Sequence, residues 1–184
     1  MEDILKRSDE MEVRVIKPED VSDALIEKMM GFEEMFPEKI RYDRKKLESI
    51  LANTDNTNIL LVNGIGAVGY ILVNPHNDVV AEYREKGDDA FMTLESDRCY
   101  LDKITVVPEE RSSKAFLCLI HGMAKIMDTK GISKYSTHIT KNNALSRVVM
   151  RFFRYTLTRE PVTVNLNTFG GEPFLYIEGD YNKT

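Results

Sequence analysis

The sequence is poor in several residue types, and each shortage narrows what the chain can do. It has two cysteines, Cys99 and Cys118, and no Cys/His spacing of the kind that builds a zinc site. Cys99 falls at the start of a strand pattern and Cys118 in the helix pattern after it, so both read as reduced structural thiols. The three histidines, His76, His121 and His138, lie on three separate segments. No metal cofactor is expected, and His138, on a strand pattern, reads as a satisfied core histidine. No run approaches the roughly 18 consecutive apolar residues that cross a bilayer. The first ten residues, MEDILKRSDE, are charged and lack the apolar stretch of a secretory leader. A soluble, cytoplasmic protein is therefore expected, with no membrane partner. An excess of basic charge is also missing: the net charge is −5, which offers no broad footprint for nucleic acid. Internal repeats, low-complexity tracts and linker composition are absent too, so residues 1–184 read as one domain, with 1–11 as a frayed tail.

Apolar material is sufficient for a core, at 42% hydrophobic residues against 30% charged. Val13 to Ile16 alternates as a short strand does. Pro18, with Glu19 and Asp20 behind it, suits the first turn of a helix. Val21, Leu25, Met29 and Phe32 would form that helix's apolar face, and Pro37 would end it. Asp43 is placed to cap a second helix with Leu47, Ile50 and Leu51 buried. After a polar loop from Asn53 to Asn58, the runs Ile59 to Val62 and Val68 to Val73 flank Asn63-Gly64, a hairpin signal. Residues 74–97 are polar and charged. They read as a long surface excursion, with a short helix around Ala81 to Lys86 as the alternative.

The richest stretch runs from Cys99 to Phe153, in the order strand, loop, helix, strand, helix. Cys99 to Val107 is strand-like and Pro108 closes it. Phe116, Leu119, Ile120, Met123, Ile126 and Met127 mark an amphipathic helix that Gly131 ends. Tyr135 to Ile139 is a second strand, and strand, helix, strand implies a parallel crossover. Asn142 or Asn143 would cap a last helix carrying Leu145, Val148, Val149, Phe152 and Phe153. Val162 to Leu166 and Phe174 to Ile177, around Gly170-Gly171, suggest a terminal hairpin. The turn between the first core strand and its helix is an anion-friendly place, because the first amides of a helix have no intrahelical partner and the dipole favours negative charge. Arg111 and Lys114 add positive charge there, and Ser112 and Ser113 add hydroxyls. The same residues also suit an ordinary helix cap with solvated charges.

The segment Tyr100-Leu101-Asp102-Lys103-Ile104-Thr105-Val106-Val107-Pro108-Glu109-Glu110-Arg111 resembles the signature stretch of the GNAT (Gcn5-related) N-acetyltransferases, in which Tyr-Leu, an acid and an apolar run lead into Val-x-Pro-Glu-x-Arg. Asn142-Asn143-Ala144 followed by Phe152-Phe153 is similar to that family's Asn-containing loop and aromatic-ended helix. The element order matches over roughly Val13 to Tyr181. The resemblance implies an α/β (α+β) fold with a central mixed sheet flanked by helices, and direct acyl transfer from acetyl-CoA, as cosubstrate, to an amine of a small molecule or protein. It implies Asp102 as the base that deprotonates the amine, with an ion-paired Asp beside Lys103 as the alternative; the family's Tyr in the last helix is displaced here, Val148 or Val149 standing at that turn, so Tyr155 further on is the candidate proton donor to the leaving thiolate, with a core or helix-end Tyr as the alternative. It places Ile104, Thr105 and Val106 beside the thioester, where a backbone amide near Thr105 or Val106 steadies the oxyanion, and Arg111, Ser112, Ser113, Lys114, Ala115 and Asn142 around the rest of the donor. The acceptor pocket would draw on residues 20–50 and 74–97, with Phe32, Phe36 and Tyr42 as candidate lining, and a homodimer is the family-level expectation. Where the family carries Gly-x-Gly-x-Gly or Ala after the Arg, this chain has Ser112, Lys114 and Phe116, and glycine is what lets backbone approach a pyrophosphate closely. A GNAT-like fold that binds without catalysing, or one that takes its acyl group from an acyl-carrier protein, is the alternative.

Overall fold

In a computed structural model of the chain, residues 11–141, 150–151 and 153–181 are described, and the side chain of Ser113 is not. The elements in chain order are β1 (Glu12–Ile16), α1 (Asp23–Glu33), α2 (Arg44–Ala52), β2 (Thr57–Asn63), β3 (Gly66–Pro75), α3 (His76–Glu85), β4 (Arg98–Val106), α4 (Ser113–Thr129), β5 (Lys134–Thr140), β6 (Val162–Leu166) and β7 (Glu172–Asp180). The strands form a mixed seven-stranded sheet in the order β1-β2-β3-β4-β5-β7-β6, with helices flanking it. Packing groups the chain into two compact units, divided at Val73, Asp102 and Ile126, so that β3, β4 and α4 each contribute to both.

In the first unit, local signals set most boundaries. The expectation that α1 opens at Pro18 is corrected: Pro18–Asp20 makes one 3-10 turn, and the helix starts at Asp23. Ser22 is its cap: the extended backbone there lets the hydroxyl accept from the Leu25 amide at 3.3 Å. Asp43 caps α2 as expected, accepting from the Lys46 amide at 2.7 Å. The two helices bury Ile26, Met29, Phe32, Leu47, Ile50 and Leu51 in one cluster with Ile16, Tyr70 and Leu72. Each such side chain contributes about 1.5–3 kcal/mol by leaving water.

The β2–β3 hairpin is antiparallel, and its register slips between Leu61 and Val62. Leu61 faces Gly69 while Val62 faces Ala67, which leaves Val68 as the extra residue of a bulge. The Val68 carbonyl accepts from the Val107 amide at 2.8 Å, just past the end of β4. Beside it Gly69 leaves room for β4: a Cβ there would stand 2.6 Å from the Thr105 carbonyl oxygen.

In the second unit, residues 74–97 hold the helix given above as the alternative, but it begins earlier than Ala81. The excursion holds the ten-residue helix α3, with His76, Val79, Val80 and Tyr83 buried. Pro75 precedes it, and a left-handed Gly87 follows its end. β4 and β5 pair in parallel, and β5–β7 and β6–β7 in antiparallel, the last around Gly170-Gly171, both at positive φ. Gly131, also at positive φ, ends α4, with the Ile132 amide returning to the Met127 carbonyl. The 1–11 tail, apart from Met11, and the expected cap and helix at Asn142, Asn143, Leu145, Val148, Val149 and Phe152 lie outside the described residues. Phe153 is buried against the Tyr135 ring, centroid to centroid 4.6 Å.

Candidate active site

Residues of the sequence signature fall in both units, and each half has its own chemistry. In the first, β4 runs through Ile104, Thr105 and Val106 into a 3-10 turn at Pro108–Glu110 and then into the 17-residue α4. Ile104 is half-buried; Thr105 and Val106 are buried. The turn is tied down by its own side chains. Glu110 accepts from the Asn63 amide nitrogen at 3.0 Å. Arg111 folds back so that its Nε donates to the Val106 carbonyl at 2.9 Å, with Nη2 3.7 Å from the Met35 sulfur. Ser112 accepts from the Ala115 amide at 3.1 Å and so acts as the helix cap.

Ala115 and Phe116 both point into the core, on the stripe that continues through Leu119, Met123 and Met127. The bulk of Phe116, which stands where the resemblance calls for a small residue, is thus taken up by packing rather than by the turn. Lys114 is exposed. A helix of this length presents a positive dipole end at Ser113, with the Arg111 guanidinium and the Lys114 ammonium close by in the chain.

The same unit holds a cation that the sequence reading passed over. Lys103, beside Asp102 on β4, is ion-paired with Glu33 from α1, and both side chains are buried. The Glu33 carboxylate also accepts from the Tyr42 amide at 2.6 Å and from the Tyr70 hydroxyl. The ammonium lies 3.6 Å from the centroid of the Tyr42 ring and 4.8 Å from that of Phe36. Two of the three aromatics read as acceptor-pocket lining therefore enclose the chain's own lysine. The third, Phe32, is core, packed on Tyr70 at 5.6 Å.

In the second unit, Asp102 is half-buried on β4, and its Oδ2 accepts a long hydrogen bond of 3.4 Å from Asn74 at the end of β3. The β4–β5 ladder covers Arg98 to Tyr100 against Lys134 to Ser136, and next to it the Thr137 hydroxyl donates to the Leu101 carbonyl at 2.7 Å. A chain of polar groups lies beside Asp102. The hydroxyls of Tyr83 and Tyr100 are 3.3 Å apart, and the Tyr100 hydroxyl is 2.9 Å from His138 Nδ1. The His138 ring packs on Tyr176 at 4.8 Å and Tyr83 at 5.3 Å. Burial pushes His138 down to about 3, so it is a neutral imidazole at neutral pH. Burial likewise raises the Tyr83 hydroxyl, and the Asp102 charge adds to the effect.

The expectation of a fully satisfied His138 holds for Nδ1 only; Nε2 is buried without a partner among the described residues. His76 is satisfied at both nitrogens: Nε2 donates to the Thr93 carbonyl and Nδ1 accepts from Ser136, each at 2.8 Å. Tyr100 belongs to the signature, whereas Tyr83 lies on α3, and no local pattern points from it to His138.

Tyr155 is 76% exposed, in the turn before Leu157. Asn142 lies outside the described residues, as does the side chain of Ser113. Cys99 is buried, which pushes its thiol to about 11, well away from a reactive thiolate. Among the described residues no three His, Cys, Asp or Glu side chains converge as a metal site requires, and no helix is long and apolar enough to cross a membrane.

No family model matches the sequence, and no curated protein matches it significantly. Solved structures do match, over nearly their whole length. The PaiA N-acetyltransferase of Thermoplasma acidophilum, in complex with coenzyme A, aligns with a TM-score of 0.60 at 17% identity, over 94% of this chain and 99% of that one. NAA60 of Arabidopsis thaliana, in complex with acetyl-CoA, gives 0.62 at 14% identity, over 94% and 98%. The ribosomal-protein-S18-alanine N-acetyltransferase of Escherichia coli gives 0.61 at 10% identity, over 94% of each. The fold is thus that of the GNAT N-acetyltransferases, as the signature at Tyr100–Arg111 implied.

Proposed function

We propose that the chain is an N-acyltransferase that moves an acetyl group from acetyl-CoA to an amine of a small molecule or protein. What carries the reading is the path of β4: one strand bears the Asp102 carboxylate and then runs into the positive N-terminal end of α4. The donor's phosphates would lie at that helix end, near Arg111, Ser112, Ser113, Lys114 and Ala115, with Asn142 as a further contact. Phe116 does not oppose this, since its side chain is buried in the core. Ile104, Thr105 and Val106 would lie along the thioester, where a backbone amide can donate to the carbonyl oxygen as it becomes an oxyanion.

Asp102 takes a proton from the acceptor ammonium. The freed nitrogen lone pair attacks the thioester carbonyl carbon, the C–N bond forms and the C–S bond breaks. The thiolate leaves with the bonding pair and takes a proton from Tyr155, while the second proton of the nitrogen, acidic once the C–N bond has formed, passes to solvent, which reloads the exposed Tyr155 hydroxyl. Protein acceptors are the acceptor class of the ribosomal-protein-S18-alanine enzyme with the same fold, which favours testing peptide amines first.

A second reading, a binding module without catalysis, is favoured by one observation: Arg111 and Ser112 are both engaged with the chain's own backbone. Thermal shift with acetyl-CoA, CoA and longer acyl-CoAs, followed by acetyl-CoA consumption with peptide and polyamine acceptors, separates the two. A ligand that binds only the folded state raises the melting temperature with its concentration. Acyl transfer predicts a shift with acetyl-CoA and turnover that Asp102→Asn lowers by about a hundredfold or more, in the range of lost general-base catalysis, with an unchanged thermal shift. Absence of any shift at millimolar CoA species removes the CoA reading, and full activity in Asp102→Asn removes Asp102 from the mechanism.

A further inference from the structure

Buried polar side-chain atoms without a partner are few in folded proteins, and each calls for an explanation. Among the described residues they are Asn58 Oδ1, Asn74 Oδ1, Arg98 Nε, His138 Nε2 and Arg159 Nε. The two arginines are held through their other nitrogens, Arg98 by Glu95 and the Tyr135 carbonyl, Arg159 by Glu178. Asn58 is anchored in the first unit by its bond to the Ile50 carbonyl. Asn74 differs because of its neighbour: its Nδ2 donates to the Asp102 carboxylate, which fixes which way the amide faces. The reverse orientation would set an amide oxygen against a carboxylate oxygen. The orientation shown leaves Oδ1 as an acceptor, shielded from water and unpaired, one amide width from a carboxylate.

That pairing has a definite chemical complement. Two acceptors side by side, one of them charged, call for a ligand with at least two N–H donors and a positive charge. A hydroxyl offers one donor, an anion is repelled, and a quaternary ammonium has the charge without the N–H groups. We propose that Asn74 and Asp102 form the subsite for a primary amino group, in which the Asn74 amide oxygen holds one N–H while the Asp102 carboxylate accepts the proton that leaves. The inference rests on the acyl-transfer reading and names a residue which that reading lacked.

The division of labour follows from basicity. An amide oxygen accepts a hydrogen bond but does not take the proton at neutral pH, so Asn74 keeps its hold after Asp102 has been protonated. The N–H that remains on Asn74 orients the nitrogen, and the lone pair freed by proton loss emerges on the Asp102 side. Without the subsite, the buried Oδ1 carries the desolvation cost of an unmade hydrogen bond, about 1–3 kcal/mol. A bound amine removes it.

The test needs no knowledge of the natural acceptor. Methylammonium and tetramethylammonium chloride are titrated into the full chain at constant ionic strength. Binding is followed by the Asn74 side-chain amide signals and the Asp102 carboxyl carbon in NMR spectra. The expected result is saturable shifts at both residues with methylammonium and none with tetramethylammonium. Asn74→Leu should weaken methylammonium at least about tenfold while leaving the acetyl-CoA thermal shift unchanged. Asn74→Asp, which keeps the shape and adds a second carboxylate, should tighten it, and it serves if the leucine variant does not fold. Equal shifts with both cations, shifts with neither, or unaltered methylammonium binding in the variants overturns the subsite. A missing acetyl-CoA shift, by contrast, strikes the acyl-transfer reading and leaves the ammonium result standing.

Discussion

Replacing Lys103 by methionine tests how the first unit is held together. Methionine keeps the length and flexibility of the stem, so the packing between the Tyr42 and Phe36 rings is largely retained. What is lost is the charge. Glu33 is 1% exposed and its carboxylate is fixed by the Tyr70 hydroxyl and the Tyr42 amide, so it is not free to turn toward water when its cation goes. Breaking a buried pair from one side costs about 3–5 kcal/mol, because the remaining charge is left uncompensated. For a chain of this size each kcal/mol moves the melting temperature by about 2–4 °C, which predicts a fall of roughly 6–20 °C. The partner variant Glu33→Gln keeps one oxygen for the tyrosine donors and carries no charge. Lys103→Met/Glu33→Gln should therefore recover about half of the loss, and urea melts of both singles and the double yield the coupling directly. A loss below about 1 kcal/mol in Lys103→Met, or a double variant that merely sums the singles, would refute the account of an interlocked buried pair.

Other consequences concern pH and close packing. Asp88 is buried, and burial alone raises its carboxyl, but the Thr168 hydroxyl and the Thr168 and Asn167 amides together hold it below its ordinary value. A depressed folded-state value stabilises above the unfolded value of about 4 and is lost as pH falls through the folded one. The gap between the protein and Asp88→Asn in urea melts should thus be constant above about pH 5 and close below pH 4. His138, at about 3 against an unfolded value of about 6.5, contributes stability that is complete above pH 6.5 and lost progressively down to pH 3. NMR of its ring carbons should show no protonation between pH 5 and 8, and a midpoint near 6.5 would contradict its burial. Gly69→Ala pushes a methyl group against the Thr105 carbonyl and the Val106 Cα, both backbone atoms of β4, and should cost about 1–3 kcal/mol in the same melts; a neutral result would mean that the two strands part easily.

What the sequence determined by itself was whatever is decided between near neighbours in the chain. Apolar residues at helical spacing from Ala115 to Met127 can bury only one face, whatever lies opposite. Asp43 caps α2, the Asn63 side chain accepts from the Ile65 amide in a hairpin turn that lies one residue later than Asn63-Gly64, and Gly131 ends α4, because these depend on a side chain reaching its own backbone or on a backbone angle that favours glycine. The strand and turn from Tyr100 to Arg111 carried enough of this local grammar to indicate the fold. Within residues 74–97 only the end of α3, around Ala81 to Lys86, was legible, because the charged face of the helix masks its buried one. The Lys103–Glu33 pair joins residues 70 apart in the chain, the Asn74–Asp102 bond residues 28 apart, and the Tyr100–His138 contact residues 38 apart. The last two follow from strand order and register, and the first from a helix residue meeting a strand residue. No spacing along a single segment encodes them, so only the tertiary structure decided that Asp102 stands beside an unpaired amide oxygen and that the aromatics expected to line a pocket close over a lysine.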